Sequence, residues 1–170
     1  MQFKRHCFLI VLGLLISLCF STHPISATEA SPIQQDYTRL EAALNQRDFK
    51  TADSITYRLM LRVAGEKSSN AGAFNLTEWK NFSCSQLLKI DQLWSSATNG
   101  EQGFSVQSGL YQRSTARKAE QVYRTVGWMD GRGSYKPPNY QAPLPGSLPY
   151  KLAWQDGNEH RFEKFKACNL

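Results

Sequence analysis

Histidine and cysteine are scarce in this 170-residue chain, which has three of one and four of the other. His6, His23, Cys7 and Cys19 all fall within the first 27 residues, leaving His160, Cys84 and Cys168 for the rest. A zinc site needs several such ligands, and Ser-His-Asp or Cys-His catalysis needs an imidazole beside its nucleophile, so this inventory supports neither. His160 lies in the run Asn158-Glu159-His160-Arg161, where it reads as a solvated surface residue, with a ligand role as the alternative. Basic runs are also missing. The 20 Lys+Arg are scattered among 14 Asp+Glu, and no RNA-recognition motif concentrates them, which argues against a nucleic-acid partner. Gly131-Arg132-Gly133 and Asn99-Gly100 are turn signals without phosphate-loop spacing. Asp53, Glu78, Asp91, Glu120 and Asp130 show no spacing that selects a catalytic pair, and no repeat of 20 to 50 residues is visible. The sequence therefore offers no support for an enzyme.

The longest apolar run, over residues 7–20, is shorter than the roughly 20 residues that span a bilayer. Lys4 and Arg5 precede it, and Ile25-Ser26-Ala27 ends it with a small residue suited to cleavage, so residues 1–27 read as a secretory signal peptide. An uncleaved membrane anchor is the alternative, giving membrane association through 1–27. A lipoprotein is disfavoured because Leu18 precedes Cys19. Residues 28–36 have the polar composition of a flexible linker, and the folded domain is expected over 37–170. With the positive end inside, either outcome places the domain outside the cytoplasm, in a periplasm or lumen or held at the outer side of a membrane.

Helical spacing dominates the chain beyond residue 36. Over residues 31–45, with Pro32 allowed in the first turn, Tyr37, Leu40, Ala43 and Leu44 mark one amphipathic helix; Asp48 caps a second, lined by Ala52, Ile55, Leu59, Met60 and Val63 and stopped at Gly65, so that the pair forms a hairpin. Residues 66–76 read as a polar loop, followed by one helical turn after Thr77. Ser83 and Gln86 form a capping-box pattern before a helix with Leu87, Leu88, Ile90, Leu93 and Trp94 inward, which Asn99-Gly100 ends. A helix is expected from near Ser105, another capped by Ser114 with Val122, Tyr123 and Val126, and a last one capped by Asn158 with Phe162 and Phe165. Residues 129–154 are rich in proline and glycine and have no helical period. The expected fold is all-α, a compact helical bundle with a long ordered Pro/Gly-rich loop forming a concave ligand pocket.

Cys84 and Cys168 are either disulfide-bonded, which an oxidising compartment allows, or two buried thiols. Trp94, Phe104, Trp128, Tyr140, Tyr150 and Trp154 fall at helix ends or inside the loop, where large apolar groups line either a pocket or the core.

At these residues the chain resembles the Genomes Uncoupled Four family of porphyrin-binding proteins that assist magnesium chelatase in chlorophyll synthesis. The resemblance runs through Tyr37-Thr38-Arg39-Leu40, the helix 48–60 with Ala52-Asp53 and Thr56, Phe82-Ser83-Cys84, Ile90-Asp91-Gln92-Leu93-Trp94, Gly103-Phe104-Ser105-Val106-Gln107, Val126-Gly127-Trp128, Ala142-Pro143-Leu144-Pro145 with Leu148-Pro149, and Ala167-Cys168-Asn169-Leu170. It implies a helical domain from a photosynthetic bacterium whose concave face holds a flat tetrapyrrole, protoporphyrin IX or its magnesium form. The protein would act as a carrier, sensor or regulator with no chemical step and no required cofactor, with magnesium chelatase as a partner if the domain faces the cytosol. The implied pocket takes in Trp94, Ser95, Phe104, Val106, Trp128, Tyr140, Leu144, Leu148, Tyr150 and Trp154, with Arg161 and Lys164 as cations for the propionates. Gln102, Ser95, Ser147 and Met129 depart from the family pattern. Gln102, Ser95 and Ser147, together with the signal segment, motivate a second reading, an exported protein-interaction or signalling module that reuses the fold without porphyrin.

Overall fold

The computed structural model describes residues 30–115 and 118–170, so the signal or anchor reading of 1–27 lies outside the described residues. Among them are eight helices and two isolated β-bridges. No helix among them is long and apolar enough to cross a membrane.

Helix α1 (Pro32–Asn45) begins where Ser31 Oγ accepts the Gln34 N–H and Pro32 occupies the first turn, a position that needs no amide donor. The helix thus has the bounds its spacing predicts, and residues 32–36 belong to it and not to the flexible linker expected over 28–36. Asp36 is already buried there, 3.1 Å from the Arg62 guanidinium. Helix α2 (Phe49–Ala64) is capped by Asp48, as its sequence predicts, and buries Ala52, Ile55, Leu59 and Met60 against α1 in a hairpin.

The segment expected as a polar loop contains helix α3 (Glu66–Ala71). Its amides find an acceptor further along the chain, since the Glu78 carboxylate takes the N–H groups of Lys67 and Ser68 and the Ser68 hydroxyl. Gly65 makes room for that carboxylate: a Cβ there would lie 2.5 Å from Glu78 Cδ, and its φ of 148° favours glycine as well. Helix α4 (Leu76–Lys80) follows, capped by Asn75.

Helix α5 (Cys84–Ala97) buries Leu87, Ile90, Asp91 and Trp94. Leu88 faces solvent at 44% exposure and Leu93 is half-buried, since neither falls on the 87–90–94 stripe. Ser83 caps the helix, but Gln86 does not close the box; its Oε1 accepts the Tyr37 hydroxyl at 2.6 Å and ties α5 to α1. Helix α6 (Phe104–Arg113) starts one residue before Ser105, with the Asp91 carboxylate accepting the Ser105 N–H and hydroxyl. Ser114 closes α6 instead of opening the next helix, its hydroxyl donating to the Tyr111 carbonyl. Helix α7 (Ala119–Thr125) buries Val122 and Tyr123. Helix α8 (Arg161–Ala167) begins after His160 with no side-chain cap, so Asn158 does not cap it; the Asn158 N–H bonds the Asp156 carboxylate. Phe162 and Phe165 face inward as expected.

Cys84 and Cys168 are bonded, with Cα atoms 5.2 Å apart, joining the start of α5 to the residue after α8. Residues 129–154 form an extended loop pinned by side chains of the helical framework. Asp53 of α2 accepts the Tyr140 hydroxyl at 2.8 Å and the N–H groups of Tyr150 (2.8 Å) and Lys151 (3.2 Å). Gln102 donates to the Leu144 carbonyl and accepts from the Leu148 N–H, Gln107 donates to the Pro149 carbonyl, and the Trp128 indole donates to the Ser147 carbonyl. An irregular segment can bury its backbone only when such partners exist.

Candidate functional site: an aromatic cleft around a buried guanidinium

The loop, α7 and the start of α8 enclose a cleft of about 560 Å³ walled by Tyr123, Trp128, Tyr140, Tyr150 and Trp154. Arg161 lies within this wall at 3% exposure. Its guanidinium carbon is 4.7 Å from the Trp128 ring centroid, 5.8 Å from Tyr123 and 5.9 Å from Trp154, a cation surrounded by π faces. Glu159 holds it from one side, accepting Arg161 Nε at 2.9 Å and the Arg161 backbone N–H at 2.8 Å. The same carboxylate accepts the Tyr123 hydroxyl.

Burial, reinforced by the Glu159 charge, pushes the Tyr123 phenol far above its ordinary value despite the opposing Arg161. Burial and then the Asp53 charge push Tyr140 upward, and burial does the same for Tyr150. Each of these phenols is a neutral donor at physiological pH. The Asp53 carboxyl is also raised, because desolvation outweighs the hydrogen bonds from Tyr140, Lys151 and Tyr150 and the attraction of Arg161. The described residues contain no group of three or more His, Cys, Asp or Glu side chains placed to hold a metal ion. Chemically, the arrangement can stack a flat apolar molecule between aromatic walls while presenting it with a cation.

Of the residues the sequence nominates, Trp128, Tyr140, Tyr150, Trp154 and Arg161 come together here. The others do not line the cleft. Trp94 is fully buried in the helical core, stacked on Phe49 and donating to Thr56 Oγ1 at 2.9 Å. Phe104 packs on Phe165 at 5.0 Å between centroids, and Leu148 is buried in the same core. Ser95 sits half-buried on α5, where its carbonyl accepts the Gly100 N–H that closes the helix. Val106 is half-buried on α6, packed near Gly146. Leu144 stands 52% exposed beside a separate hollow with Val126 and Pro137. Lys164 donates to the Lys80 carbonyl at 2.9 Å and lines a small hollow with Trp79 and His160. His160 is only 18% exposed, edge-on to Trp154 and 2.8 Å from the Asp156 carboxylate, so it is not the solvated residue the sequence suggests.

Sequence reasoning missed Tyr123, Tyr135 and Glu159. Tyr123 occupies the inward stripe of α7 and reads as core; its position five residues before Trp128 across Gly127 is the signal that both could face one cavity. Tyr135, 68% exposed, meets Tyr123 edge-on at 5.9 Å and forms the cleft's outer lip. The departures Ser95, Gln102, Ser147 and Met129 all lie off the cleft wall. Gln102 instead lines a larger groove of about 1210 Å³, where Arg47, Asp48, Lys50 and Glu101 alternate with Phe49, Pro137, Pro138 and Tyr140.

Fold and cleft together define a small all-α domain with an open cleft lined by aromatic side chains of α7 and the 129–154 loop. A family model described as GUN4-like matches residues 30–161, and the chain belongs to that family. The ligand-free structure of Arabidopsis thaliana GUN4 superposes with a TM-score of 0.62 at 26% identity, covering 76% of this chain and 89% of that one. GUN4 from Chlamydomonas reinhardtii, at 22% identity and a TM-score of 0.61 over 78% of this chain and 85% of that one, shares the fold. A Ycf53-like protein of Synechocystis is 35% identical over 96 residues, 56% of this chain and 41% of that protein. An Arabidopsis thaliana relative named tetrapyrrole-binding protein, chloroplastic, is 31% identical over 90 residues, 53% and 34% of the two chains. The matched region thus spans about two fifths or less of these curated relatives.

Proposed function

We propose that the cleft binds a tetrapyrrole, protoporphyrin IX or its magnesium form, and that the protein serves as a non-catalytic carrier, sensor or regulator in chlorophyll synthesis. The observation that carries this reading is the cleft itself, where the side chains of Tyr123, Trp128, Tyr150 and Trp154 line about 560 Å³, a volume in the usual range of small-molecule sites. Membership of the GUN4-like family and the name of the Arabidopsis relative support the ligand class. The interaction-module reading loses the side chains that motivated it, since Ser95, Gln102 and Ser147 do not face this cavity. The Cys84–Cys168 bond supports a domain working outside the reducing cytosol, which leaves magnesium chelatase as a partner only for a cytosol-facing form.

Titrating the purified protein with protoporphyrin IX and magnesium protoporphyrin, followed by the Soret band and tryptophan fluorescence, is expected to show saturable micromolar binding. Tyr150→Ala weakens it, while Leu144→Ala on the exposed shoulder leaves it unchanged. No spectral change at micromolar ligand overturns the reading. N-terminal sequencing and protease protection in fractionated cells test the location, and an intact Met1 in soluble cytosol argues against export.

A further inference from the structure

Two hydrogen-bond donors in the cleft wall are buried with no acceptor in the protein: Nη1 of Arg161 and the indole Nε1 of Trp154. Their residues are 3% and 7% exposed, so the deficit is not one that a surface side chain would make up from bulk solvent. Buried donors are almost always paired, and an unpaired one costs free energy comparable to a lost hydrogen bond. The other tryptophan indoles satisfy that rule, Trp79 through the His160 carbonyl, Trp94 through Thr56 and Trp128 through the Ser147 carbonyl, which sets Trp154 apart. The rest of the Arg161 group is engaged, Nε by Glu159 and Nη2 by the Tyr150 carbonyl at a long 3.5 Å. Glu159 also takes the Tyr123 hydroxyl and the Arg161 backbone N–H, and makes no hydrogen bond to Nη1.

From these two unpaired donors we infer that the cleft is a carboxylate receptor, in which Arg161 Nη1 and Trp154 Nε1 together bind an anionic carboxylate on the edge of an aromatic ligand. The inference rests on the tetrapyrrole reading for the ring and deepens it by joining the Trp154 indole N–H to the one cation, of the two nominated for the propionates, that lies in this cleft. The charged side chains lining the cleft are Lys151, Arg161 and Glu159, two cations against one anion, so the wall favours an anionic guest. A charge-assisted hydrogen bond is stronger than a neutral one, and satisfying two buried donors at once adds to it. The Trp154 ring, 5.9 Å from the guanidinium, brings the carboxylate site directly against an aromatic wall, so acid and ring are read together. Lys164, the second cation the sequence suggests, is held at the Lys80 carbonyl and takes no part.

The test compares each acid with a neutral counterpart on the same ring: protoporphyrin IX against its dimethyl ester, and pyrenebutyrate against pyrenebutanol, each titrated into the purified protein. The acids are expected to bind about tenfold or more tighter than their neutral partners. Trp154→Phe keeps an aromatic wall and removes the N–H, so it should weaken the acids severalfold more than it weakens the ester and alcohol. Circular dichroism confirms that the variant is folded. Equal affinity of acid and neutral partner, or an equal loss for both in Trp154→Phe, overturns the inference while leaving tetrapyrrole binding intact. If neither porphyrin binds but pyrenebutyrate binds in a Trp154-dependent way, the tetrapyrrole reading falls and the carboxylate receptor stands. Failure of every acid to bind overturns both.

Discussion

The α1–α2–α5 framework and the 129–154 loop are ordered by different physics. In the framework, apolar stripes at helical spacing meet one another: Leu40 and Leu44 on α1, Leu59 and Met60 on α2, Leu87 and Ile90 on α5. In the loop, order comes from a few framework side chains, Asp53, Gln102 and Gln107, each bonding loop groups that would otherwise be buried unpaired. Burial is non-directional and tolerant, whereas hydrogen bonding is geometric and fails one group at a time. A binding surface built on such a loop can therefore change its walls without disturbing the bundle beneath.

The largest effect should come from the framework. Leu59→Ala, at a fully buried position, is expected to cost about 3 kcal/mol, with bundle and cleft unfolding together in urea whether followed by circular dichroism or by tryptophan fluorescence. Asp53→Ala should be smaller and local. It strands one hydroxyl and two amides at a cost of about 2 kcal/mol, and hydrogen exchange should quicken at Tyr150 and Lys151 but not along α1 and α2. Equal quickening in both regions would erase the distinction between them.

The smallest effect is a pH slope. Because burial raises the Asp53 carboxyl above its unfolded value near 3.9, the folded chain keeps this proton at pH values where the unfolded chain has released it. The contribution is full below the unfolded value and is lost as pH rises through the folded one. Asp53→Asn cannot titrate, so denaturation midpoints measured upward from about pH 4 should fall more steeply in the wild type than in the variant. Parallel curves would show that Asp53 carries no such slope.

The framework is legible in the sequence because its signals are local: Ser31, Asp48 and Ser83 sit at the caps of their helices. The all-α class, the hairpin and the irregular loop come from the same short-range patterns. Half of the cleft is legible as well, since aromatics such as Tyr140, Tyr150 and Trp154 in a Pro-rich segment have few other places to go. Depth is what the pattern cannot encode. Trp94 and Trp128 both stand at or just beyond helix ends, yet one is sealed behind Phe49 and Thr56 and the other faces the cavity. Asp53 is visible as an acid on a helix, but its partners lie 87 to 98 residues further on, beyond any local signal. Helix α3 is hidden for a similar reason, its cap being Glu78 from the next element.

The cystine has a topological consequence. The side chains that wall the cleft run from Tyr123 to Arg161, all inside the covalent circle closed by Cys84 and Cys168. Among the described residues of that circle the longest exposed stretch is 131–137, around Arg132 and Tyr135, and exposed loop tips are where proteolytic nicks concentrate. A single cut there would turn the circle into two strands still fastened at the cystine, with Tyr123 and Trp128 on one and Tyr150, Trp154 and Arg161 on the other. The covalent link between the two pieces would last for as long as their surroundings stay oxidising, and in a reducing compartment only packing and hydrogen bonds would hold them together.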